Sequence, residues 1–350
     1  MDRSVEYISE INSKEEHMIK NILTRYKFDV IQISKVRSVY KIKTNKGYIC
    51  LKKIKHGKGK AENGSKLVEE LKKNNFLNTP DFIKTKDNNL FIKYRKVYFY
   101  ATEWIDGKEC NLNDINEAIK CVQLLAKFHI ASTNINLKYL KIKNNLKKWP
   151  KIFNKKLYEM DRFKKCINNK KLKNQFDIKY YKYINSFYHR GLAALSLLNS
   201  SSYYKVSKLY KNKKTICHNS FYYQNIIKKD NKYYIIDLDS VIIDLPINDL
   251  GKLIRRLMFK KNYKWDFNKV KKMIKAYTAI NPLTKEELEI MLSLIIFPHK
   301  FWKMGKKRYV KHKGWSEIRY MRKLNKLIEH DSLQESFMND YLQYLRDIED

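Results

Sequence analysis

Residues 217–251 read CHNSFYYQNIIKKDNKYYIIDLDSVIIDLPINDLG. His218 opens a loop, Asn225 follows seven residues later, and Asp237 ends an apolar strand. The alternation of apolar runs and turn residues predicts a short strand-loop-strand over residues 215–238. Its polar side chains then stand where the strands end, which is a common position for functional groups.

This spacing is typical of phosphoryl-transfer sites, in which a loop and the next strand supply a base, an amide metal ligand and a carboxylate metal ligand. Asn225 and Asp237 occupy the two metal positions, and their oxygens suit Mg²⁺. The base position holds Ser220, which cannot act as a carboxylate. His218 is predicted to support the loop. Asp249 begins a helix, where it either bonds back to loop amides or complements the helix dipole.

Lys52 ends the apolar strand Ile49-Cys50-Leu51 and is the candidate for contacting nucleotide phosphates. The alternative is that Lys52 is an ordinary lysine whose side chain lies in solvent. A carboxylate on the following helix is expected to hold its ammonium group. Glu69 is the preferred partner, with Glu70 and Glu62 as alternatives, and a glutamate that merely faces solvent is the competing interpretation.

The strand that ends in Glu103-Trp104-Ile105-Asp106-Gly107 suits a hinge whose backbone meets the edge of a purine. Glu103 and Trp104 are therefore candidate nucleotide-binding residues. The same segment is also compatible with an ordinary strand-to-helix connection.

Periodicity divides the chain into two parts. Residues 1–104 are predicted to form a β-rich lobe with one inserted helix, and residues 105–350 a helical lobe that carries the loop, so the fold class is α+β. The expected strands are 30–34, 39–44, 48–53, 90–94 and 97–104. The expected helices are 15–26, 65–75, 115–130, 151–173, 176–198, 247–259, 268–280, 284–296, 317–330 and 333–348. Residues 57–60 (GKGK) are expected to be a flexible break before a helix capped by Ser65.

Composition narrows the class of protein. The chain has 350 residues, 43% hydrophobic, with five cysteines that form no CxxC pair, so zinc and a disulfide framework are not expected. No apolar run is long enough for a membrane span, and the start lacks signal-peptide features. We therefore expect a cytoplasmic protein that is not secreted. The net charge of +38 comes nearly all from lysine, and codon bias toward AT is the preferred explanation, with a polyanion partner as the alternative.

Several motifs together resemble a known superfamily. Residues 125–129 (LAKFH), the loop 218–225, Ile236-Asp237 and the helix at Asp249 resemble the aminoglycoside phosphotransferase and choline-kinase-like superfamily. Residues 102–110 (TEWIDGKEC), 217–257, 296–303 (IFPHKFWK) and 315–317 (WSE) more closely resemble the CotS family of spore coat proteins. The resemblance spans about residues 30–330.

The resemblance implies a protein-kinase-like fold with two lobes. Lys52 takes the strand-lysine role, Glu69 is its helix partner, and Asn225 and Asp237 are metal ligands. The implied cofactors are Mg²⁺ and ATP, and the implied partners are other spore coat proteins. The implied location is the mother-cell cytoplasm and then the spore coat.

Two departures from the superfamily pattern weaken the expectation of catalysis. Ser220 replaces the base aspartate, and residues 37–40 (RSVY) stand where a glycine-rich phosphate loop is expected. Loss of a general base costs roughly 10²- to 10⁴-fold in rate, unless Asp239 substitutes for it. The predicted function is a kinase-like coat protein that binds Mg-nucleotide, with impaired or absent phosphoryl transfer, as in a pseudokinase.

Three alternatives remain at this point. One is an active ATP-dependent phosphotransferase that acts on a small hydroxyl compound or on a coat protein. Another is a purely structural coat component, in which the 26 tyrosines and many lysines serve cross-linking. The last is a polyanion binder that uses the basic helices between Lys138 and Lys173, although no motif for specific nucleic-acid recognition accompanies them.

Overall fold

The computed structural model describes residues 8–54, 58–136 and 140–348. The strands are β1 (Ile8–Ser9), β2 (Val30–Val36), β3 (Val39–Thr44), β4 (Gly47–Lys53), β5 (Phe82–Ile83), β6 (Ile92–Tyr94), β7 (Val97–Glu103), β8 (Lys108–Glu109), β9 (Lys143–Asn144), β10 (Ile216–Cys217), β11 (Ile226–Lys229), β12 (Lys232–Ile235) and β13 (Ile242–Ile243). The helices are α1 (Ser13–Leu23), α2 (Lys58–Lys73), α3 (Ile115–Ala131), α4 (Trp149–Asn168), α5 (Gln175–Ser200), α6 (Tyr203–Lys213), α7 (Ile247–Met258), α8 (Phe267–Thr278), α9 (Lys285–Ile296), α10 (His299–Tyr309), α11 (Glu317–Glu329) and α12 (Asp331–Asp347).

The described chain divides into two units. One comprises Met1–Leu112, Asn116–Lys143 and Ile216–Ile242, and the other comprises Asn113–Ile115, Asn144–Thr215 and Ile243–Asp350. The first unit holds the large sheet and the loop at Ser220, and the second holds α4 to α12. The predicted α+β class is therefore confirmed, whereas the lobe boundary after residue 104 stays a prediction.

An antiparallel sheet in the order β1-β2-β3-β4-β7-β5, with β6 also paired to β7, dominates the first unit. Because side chains alternate along a strand, its two faces differ. Leu51 and Ala101 lie on the face that packs on α1, and both are fully buried. Lys52 and its cross-strand neighbour Tyr100 lie on the opposite face. This alternation is what points Lys52 away from the hydrophobic core.

A smaller antiparallel sheet in the order β12-β11-β8 lies in the same unit. Its hairpin, in which Ile226 pairs with Ile235, carries the loop before β11 and the acidic segment after β12. The backbone N–H of Ile235 also donates to Asn78 O at 2.8 Å, which ties the hairpin to the segment before β5. The hairpin therefore fixes the position of Asp237, which lies two residues after the end of β12.

The second unit is built from helices with aromatic packing between them. Tyr180 on α5 stacks on Phe301 of α10 at 4.2 Å between ring centroids, and Phe153 on α4 lies 4.3 Å from Phe297. Capping boxes at Asn174 and Thr284 fix the starts of α5 and α9. None of the described helices is long and apolar enough to cross a bilayer.

Some element predictions were wrong in detail. Residues 58–60 are helical rather than a flexible break, since α2 begins at Lys58, while Gly57 lies outside the described residues. Ser65 is a buried residue inside α2 and does not cap it. The sequence prediction also missed α6 and α10. Two basic helices expected at 151–173 and 176–198 are α4 and α5, with shifted ends.

Candidate functional site

The side chain of Lys52 lies against two carboxylates. Its ammonium forms ion pairs with Asp237 and Asp239, and the Nζ–Oδ2 distance to Asp239 is 2.8 Å. Burial by itself lowers the pKa of Lys52, but the charges of Asp239 and Asp237 together outweigh it and raise the pKa. The lysine is therefore a fixed positive charge at neutral pH.

Tyr100, which lies on β7 next to β4, forms hydrogen bonds with Asp239. Its hydroxyl donates to Asp239 Oδ1 at 2.9 Å and lies 3.1 Å from Oδ2. Burial, followed by the charge of Asp239, raises the pKa of Tyr100, so the phenol stays protonated and keeps its donor role. Asp239 thus has Tyr100 and Lys52 as partners, which argues against the idea that it replaces the missing base.

Asp237 is placed by an unusual backbone conformation. Its φ of 65° and ψ of 59° are left-handed, which aspartate tolerates better than most residues. This turn starts the short 3-10 helix Leu238–Ser240 and brings Asp239 back toward Lys52. The Asp237 side chain is 41% exposed, so its carboxylate remains open to a cation.

His218 ties the loop before β11 to the end of β12. Its Nε2 lies 3.0 Å from the carbonyl of Ile236, and its Nδ1 accepts from the backbone N–H of Ser220 at 3.2 Å. These two contacts are both satisfied by a neutral imidazole with its proton on Nε2. The ring is fully buried, and its geometry agrees with the predicted supporting role, which stays a prediction.

Asn225 is hydrogen-bonded to Ser220 in the loop and to Ile236, the residue before Asp237. Its Nδ2 donates to Ser220 O at 3.0 Å, and its backbone carbonyl accepts from Ile236 N–H at 3.0 Å. The amide nitrogen is thereby engaged within the loop, while Oδ1 has no donor among the described residues. The oxygens of Asn225, Asp237 and Asp239 are the donor type that Mg²⁺ prefers, and the half-exposed Asp237 carboxylate fits such an ion.

A cavity of about 170 Å³ lies over the paired charges. It is bordered by residues from β4, α2, β7, the turn between β2 and β3, and the segment after β12: Ser38, Lys52, Lys53, Ile54, Lys60, Ala61, Tyr100, Asp237, Asp239 and Ser240. The turn between β2 and β3 has Arg37 at φ 57°, and its guanidinium pairs with Glu109 at 2.5 Å. The turn between β2 and β3 therefore carries a large charged side chain at the position where a phosphate-binding loop would bring its backbone close to the phosphate.

Glu103 and Trp104 border a second cavity of about 530 Å³. The Glu103 carboxylate accepts a hydrogen bond from the backbone N–H of Asp81 at 3.0 Å. The backbone N–H of Trp104 donates to the backbone carbonyl of Tyr48 at 3.1 Å. The ammonium of Lys41 lies 5.1 Å from the Trp104 ring centroid. Their role in binding a nucleotide base stays a prediction.

The predicted pairing of Lys52 with a helix carboxylate was wrong. Glu69 is exposed on α2, because the neighbouring positions Leu67 and Val68 face the core. Glu70 pairs with Lys73 at 2.5 Å, and Glu62 is half-buried without an ion pair to Lys52. The partners of Lys52 are Asp237 and Asp239 instead.

Two residues were missed or misjudged. Tyr100 is not among the predicted site residues, because only the pairing of β4 with β7 places it opposite Lys52. Asp239 was considered only as a substitute base. Asp249 lies in the other unit, where it is buried in the first turn of α7, and its support of the loop stays a prediction.

Comparison with known proteins identifies related chains. The family model described as "Spore coat putative kinase YutH" matches residues 19–341. The chain is also 24% identical over 332 residues to "Spore coat protein S" of Bacillus subtilis (strain 168), which covers 93% of this chain and 94% of that protein.

Solved structures show the same fold. An aminoglycoside phosphotransferase from Alicyclobacillus acidocaldarius matches with a TM-score of 0.83 at 15% identity, over 99% of each chain. Spectinomycin phosphotransferase APH(9)-Ia, solved in complex with ADP and spectinomycin, matches with a TM-score of 0.63 at 14% identity, over 94% of this chain and 99% of that one. These likenesses confirm the predicted phosphotransferase-type fold.

Proposed function

The chain belongs to the family described as "Spore coat putative kinase YutH", and from this premise we propose that it binds a Mg-nucleotide and transfers phosphate slowly or not at all. The family membership confirms the resemblance to spore coat proteins of the CotS type. Nucleotide binding, the metal and the state of catalysis are the parts that the proposal adds.

One observation carries the proposal. A strand lysine, Lys52, meets two carboxylates, Asp237 and Asp239, beside a cavity of about 170 Å³. Positive charge for phosphates and carboxylate oxygens for a divalent cation are the two electrostatic parts that phosphoryl-transfer sites need. Both occur here within one unit and within hydrogen-bonding distance of each other.

The chain's own residues have distinct tasks in this proposal. Lys52 would exchange a carboxylate partner for a phosphate oxygen when nucleotide enters. Asp237 and Asn225 would then hold Mg²⁺, which neutralises phosphate charge when it is bound. Tyr100 keeps Asp239 in place through its hydrogen bonds, so that Lys52 retains one carboxylate partner. Spectinomycin phosphotransferase APH(9)-Ia, solved with ADP, and amicoumacin kinase hAmiN, solved with AMP-PNP, share this fold, and both support a nucleotide as the ligand.

Weak catalysis follows from Ser220. The residue at the base position has no carboxylate, and its backbone N–H and carbonyl are already used by His218 and Asn225. Asp239 is engaged by Tyr100 and Lys52. Loss of a positioned base removes roughly 10²- to 10⁴-fold in rate, while binding, which rests on Lys52 and Asp237, is kept.

Titration calorimetry with ATP and Mg²⁺ tests the binding step. The wild type should bind MgATP, and Asp237→Ala should lose most of the Mg²⁺-dependent affinity. Asp87→Ala is the matched control, because Asp87 is an exposed carboxylate of the same unit. A wild type that gives no heat and no thermal shift with MgATP would remove the nucleotide from the proposal.

The family also suggests where the protein works. We propose that it is made in the mother-cell cytoplasm and joins other coat proteins in the spore coat. A tagged chain should appear in coat extracts of mature spores, and Asp237→Ala tests whether nucleotide binding matters for incorporation. Equal incorporation of both proteins, with an assembly defect only on deletion, would favour the purely structural role.

A further inference from the structure

A lysine of α2 borders the same cavity as the ion pairs of Lys52. Lys60, in the first turn of α2, lines the cavity of about 170 Å³ together with Lys52 and Asp237. The sequence pattern predicted a flexible break at this point of the chain, so Lys60 is not among the predicted site residues. Every residue that borders the cavity belongs to the unit that holds the large sheet. Lys60 and Lys52 therefore border one shared space.

Close packing of α2 explains why Lys60 lies there. Gly64 follows Lys60 by one helical turn, and a Cβ on this glycine would lie 3.1 Å from the ring of Phe82 and 3.9 Å from the carbonyl oxygen of Leu238. Phe82 in turn stacks on Tyr100, with 5.3 Å between the ring centroids. Because residues four apart lie on the same face of a helix, Lys60 is on the side of α2 that packs against the acidic segment after β12.

The charge of Lys60 is not used by the carboxylates of the cavity. Asp237 and Asp239 both form ion pairs with Lys52. Lys60 is half-buried and forms no ion pair with any residue that the structure describes. Lys53 also borders the cavity, but the alternation along β4 turns its side chain toward the face opposite that of Lys52. Lys60 is therefore the cation beside the ion pairs whose charge remains for an anionic ligand.

Strand register indicates which part of a nucleotide would meet Lys60. Ile49 on β4 pairs with Glu103, where the base is proposed to bind. At about 3.3 Å per residue, Lys52 lies roughly 10 Å farther along β4. Ile54, which borders the cavity together with Lys60, lies two residues beyond Lys52. A nucleotide whose base lies at Glu103 would place its phosphates at Lys52 and the last of them near Lys60.

The size of the cavity agrees with this assignment. Pockets that enclose a whole small molecule measure about 300–1,000 Å³, whereas this cavity measures about 170 Å³. It therefore suits phosphate groups rather than a complete nucleotide.

We propose that Lys60 binds the terminal phosphates of the nucleotide and makes the site selective for polyphosphates over monophosphates. This role of Lys60 rests on the nucleotide binding proposed above. The first turn of α2 would thereby supply phosphate contacts that residues 37–40 do not offer, since they lack the glycines of a phosphate-binding loop. Lys52 would meet the phosphates nearer the base, and Lys60 those at the far end.

Titration calorimetry of the full chain with MgATP, AMP and inorganic tripolyphosphate tests this role. Lys60→Met keeps the apolar stem and removes the charge. It should weaken the binding of MgATP and of tripolyphosphate by about 10- to 100-fold, because a charge-assisted hydrogen bond is lost. AMP has no terminal phosphates, so its affinity should stay at the wild-type value. Lys60→Arg keeps the charge and should retain most of the affinity for MgATP.

Lys66→Met is the matched control, because Lys66 is exposed on the same helix and is not among the residues that border the cavity. It should bind all three ligands as the wild type does, and neither methionine variant should change the melting temperature of the free protein by more than a few degrees. Equal losses for MgATP and AMP, or an unchanged MgATP affinity of Lys60→Met when the wild type binds, would overturn the role of Lys60 alone. A wild type that binds no MgATP would instead overturn the nucleotide binding itself, and the role of Lys60 with it.

Discussion

Replacing Asp244 with asparagine should stabilise the helical unit at pH 8 and change little at pH 4. Asp244 follows β13 and is 1% exposed. Its two carboxylate oxygens each lie 3.1 Å from Trp149 Nε1, and Oδ1 accepts from Leu245 N–H at 2.9 Å. Burial raises the pKa of Asp244 from its ordinary value of 3.8 to about 7, despite these hydrogen bonds.

The direction and size of the effect follow from that raised pKa. Between pH 4 and pH 7 the folded protein holds a proton on Asp244 that the unfolded chain releases, so the stabilisation is complete below pH 4 and is lost as pH rises toward 7. At about 1.4 kcal/mol per pKa unit, the ceiling is about 4 kcal/mol. Asparagine is neutral at every pH and still offers an acceptor to Trp149, so the variant avoids this loss.

Urea unfolding between pH 4 and pH 8, followed by tryptophan fluorescence, measures the difference. The free energy of unfolding of Asp244→Asn minus that of the wild type should rise by up to about 1.4 kcal/mol per pH unit through this window. Asp340→Asn, which removes an exposed carboxylate on α12, should give a flat difference. A flat profile for Asp244→Asn as well would show that Asp244 is ionised in the folded protein.

Three further predictions concern packing and the site. Gly305→Ala should lower the free energy of unfolding by about 1–3 kcal/mol, because the new Cβ would lie 2.5 Å from the ring of Phe163. Gly59→Ala has open space in α2 and should raise the free energy of unfolding by up to about 1 kcal/mol. Equal melting temperatures of the two variants would contradict this prediction. Lys52→Met should abolish the thermal shift with MgATP and Glu69→Gln should preserve it; the reverse result would restore Glu69 as the functional partner. Ser220→Asp should raise phosphate release from ATP by roughly 100-fold or more, and an unchanged rate would show that the base is not the missing part.

The local sequence pattern was enough to predict most strands of the large sheet. It failed where tertiary packing overrides the helix propensity of single residues. The period-two alternation of residues 39–44 gave β3 with its observed ends. The GKGK segment suggested a break because glycine is a poor helix former, yet α2 starts within it, and Ala61 and Leu67 bury the helix against the rest of its unit. Tertiary contacts of this kind are invisible in a window of a few residues.

The α10 helix was missed for a related reason. Its sequence, HKFWKMGKKRY, has only Phe301, Met304 and Gly305 buried. Such a narrow apolar stripe among basic residues resembles a loop when the chain is read alone. Gly305 in particular lowers helix propensity, but its lack of a Cβ is what allows close contact with the ring of Phe163.

The site itself was only half predictable. Spacing along the chain identified Asp237, because the residues that matter follow one another in a short segment. The partner of Lys52 could not be identified in this way, since Asp237 is 185 positions away and only the fold brings the two together. A helix glutamate was the expected partner because it was near in sequence, whereas the position of Glu69 on the exposed side of α2 depends on which face the core selects.

The excess of lysine illustrates how composition and position carry different information. A codon bias raises the number of lysines wherever the fold tolerates them, and exposed positions such as Lys155 tolerate them at little cost. At Lys156 and Lys300 the amino groups lie against aromatic rings, and burial lowers the pKa of Lys156 to about 7 and that of Lys300 to about 6, so a lysine costs more there than at an exposed position. The neighbours Lys155 and Lys156 therefore differ in the cost of carrying a lysine within a single turn of α4, because Lys155 faces solvent and Lys156 packs against aromatic rings.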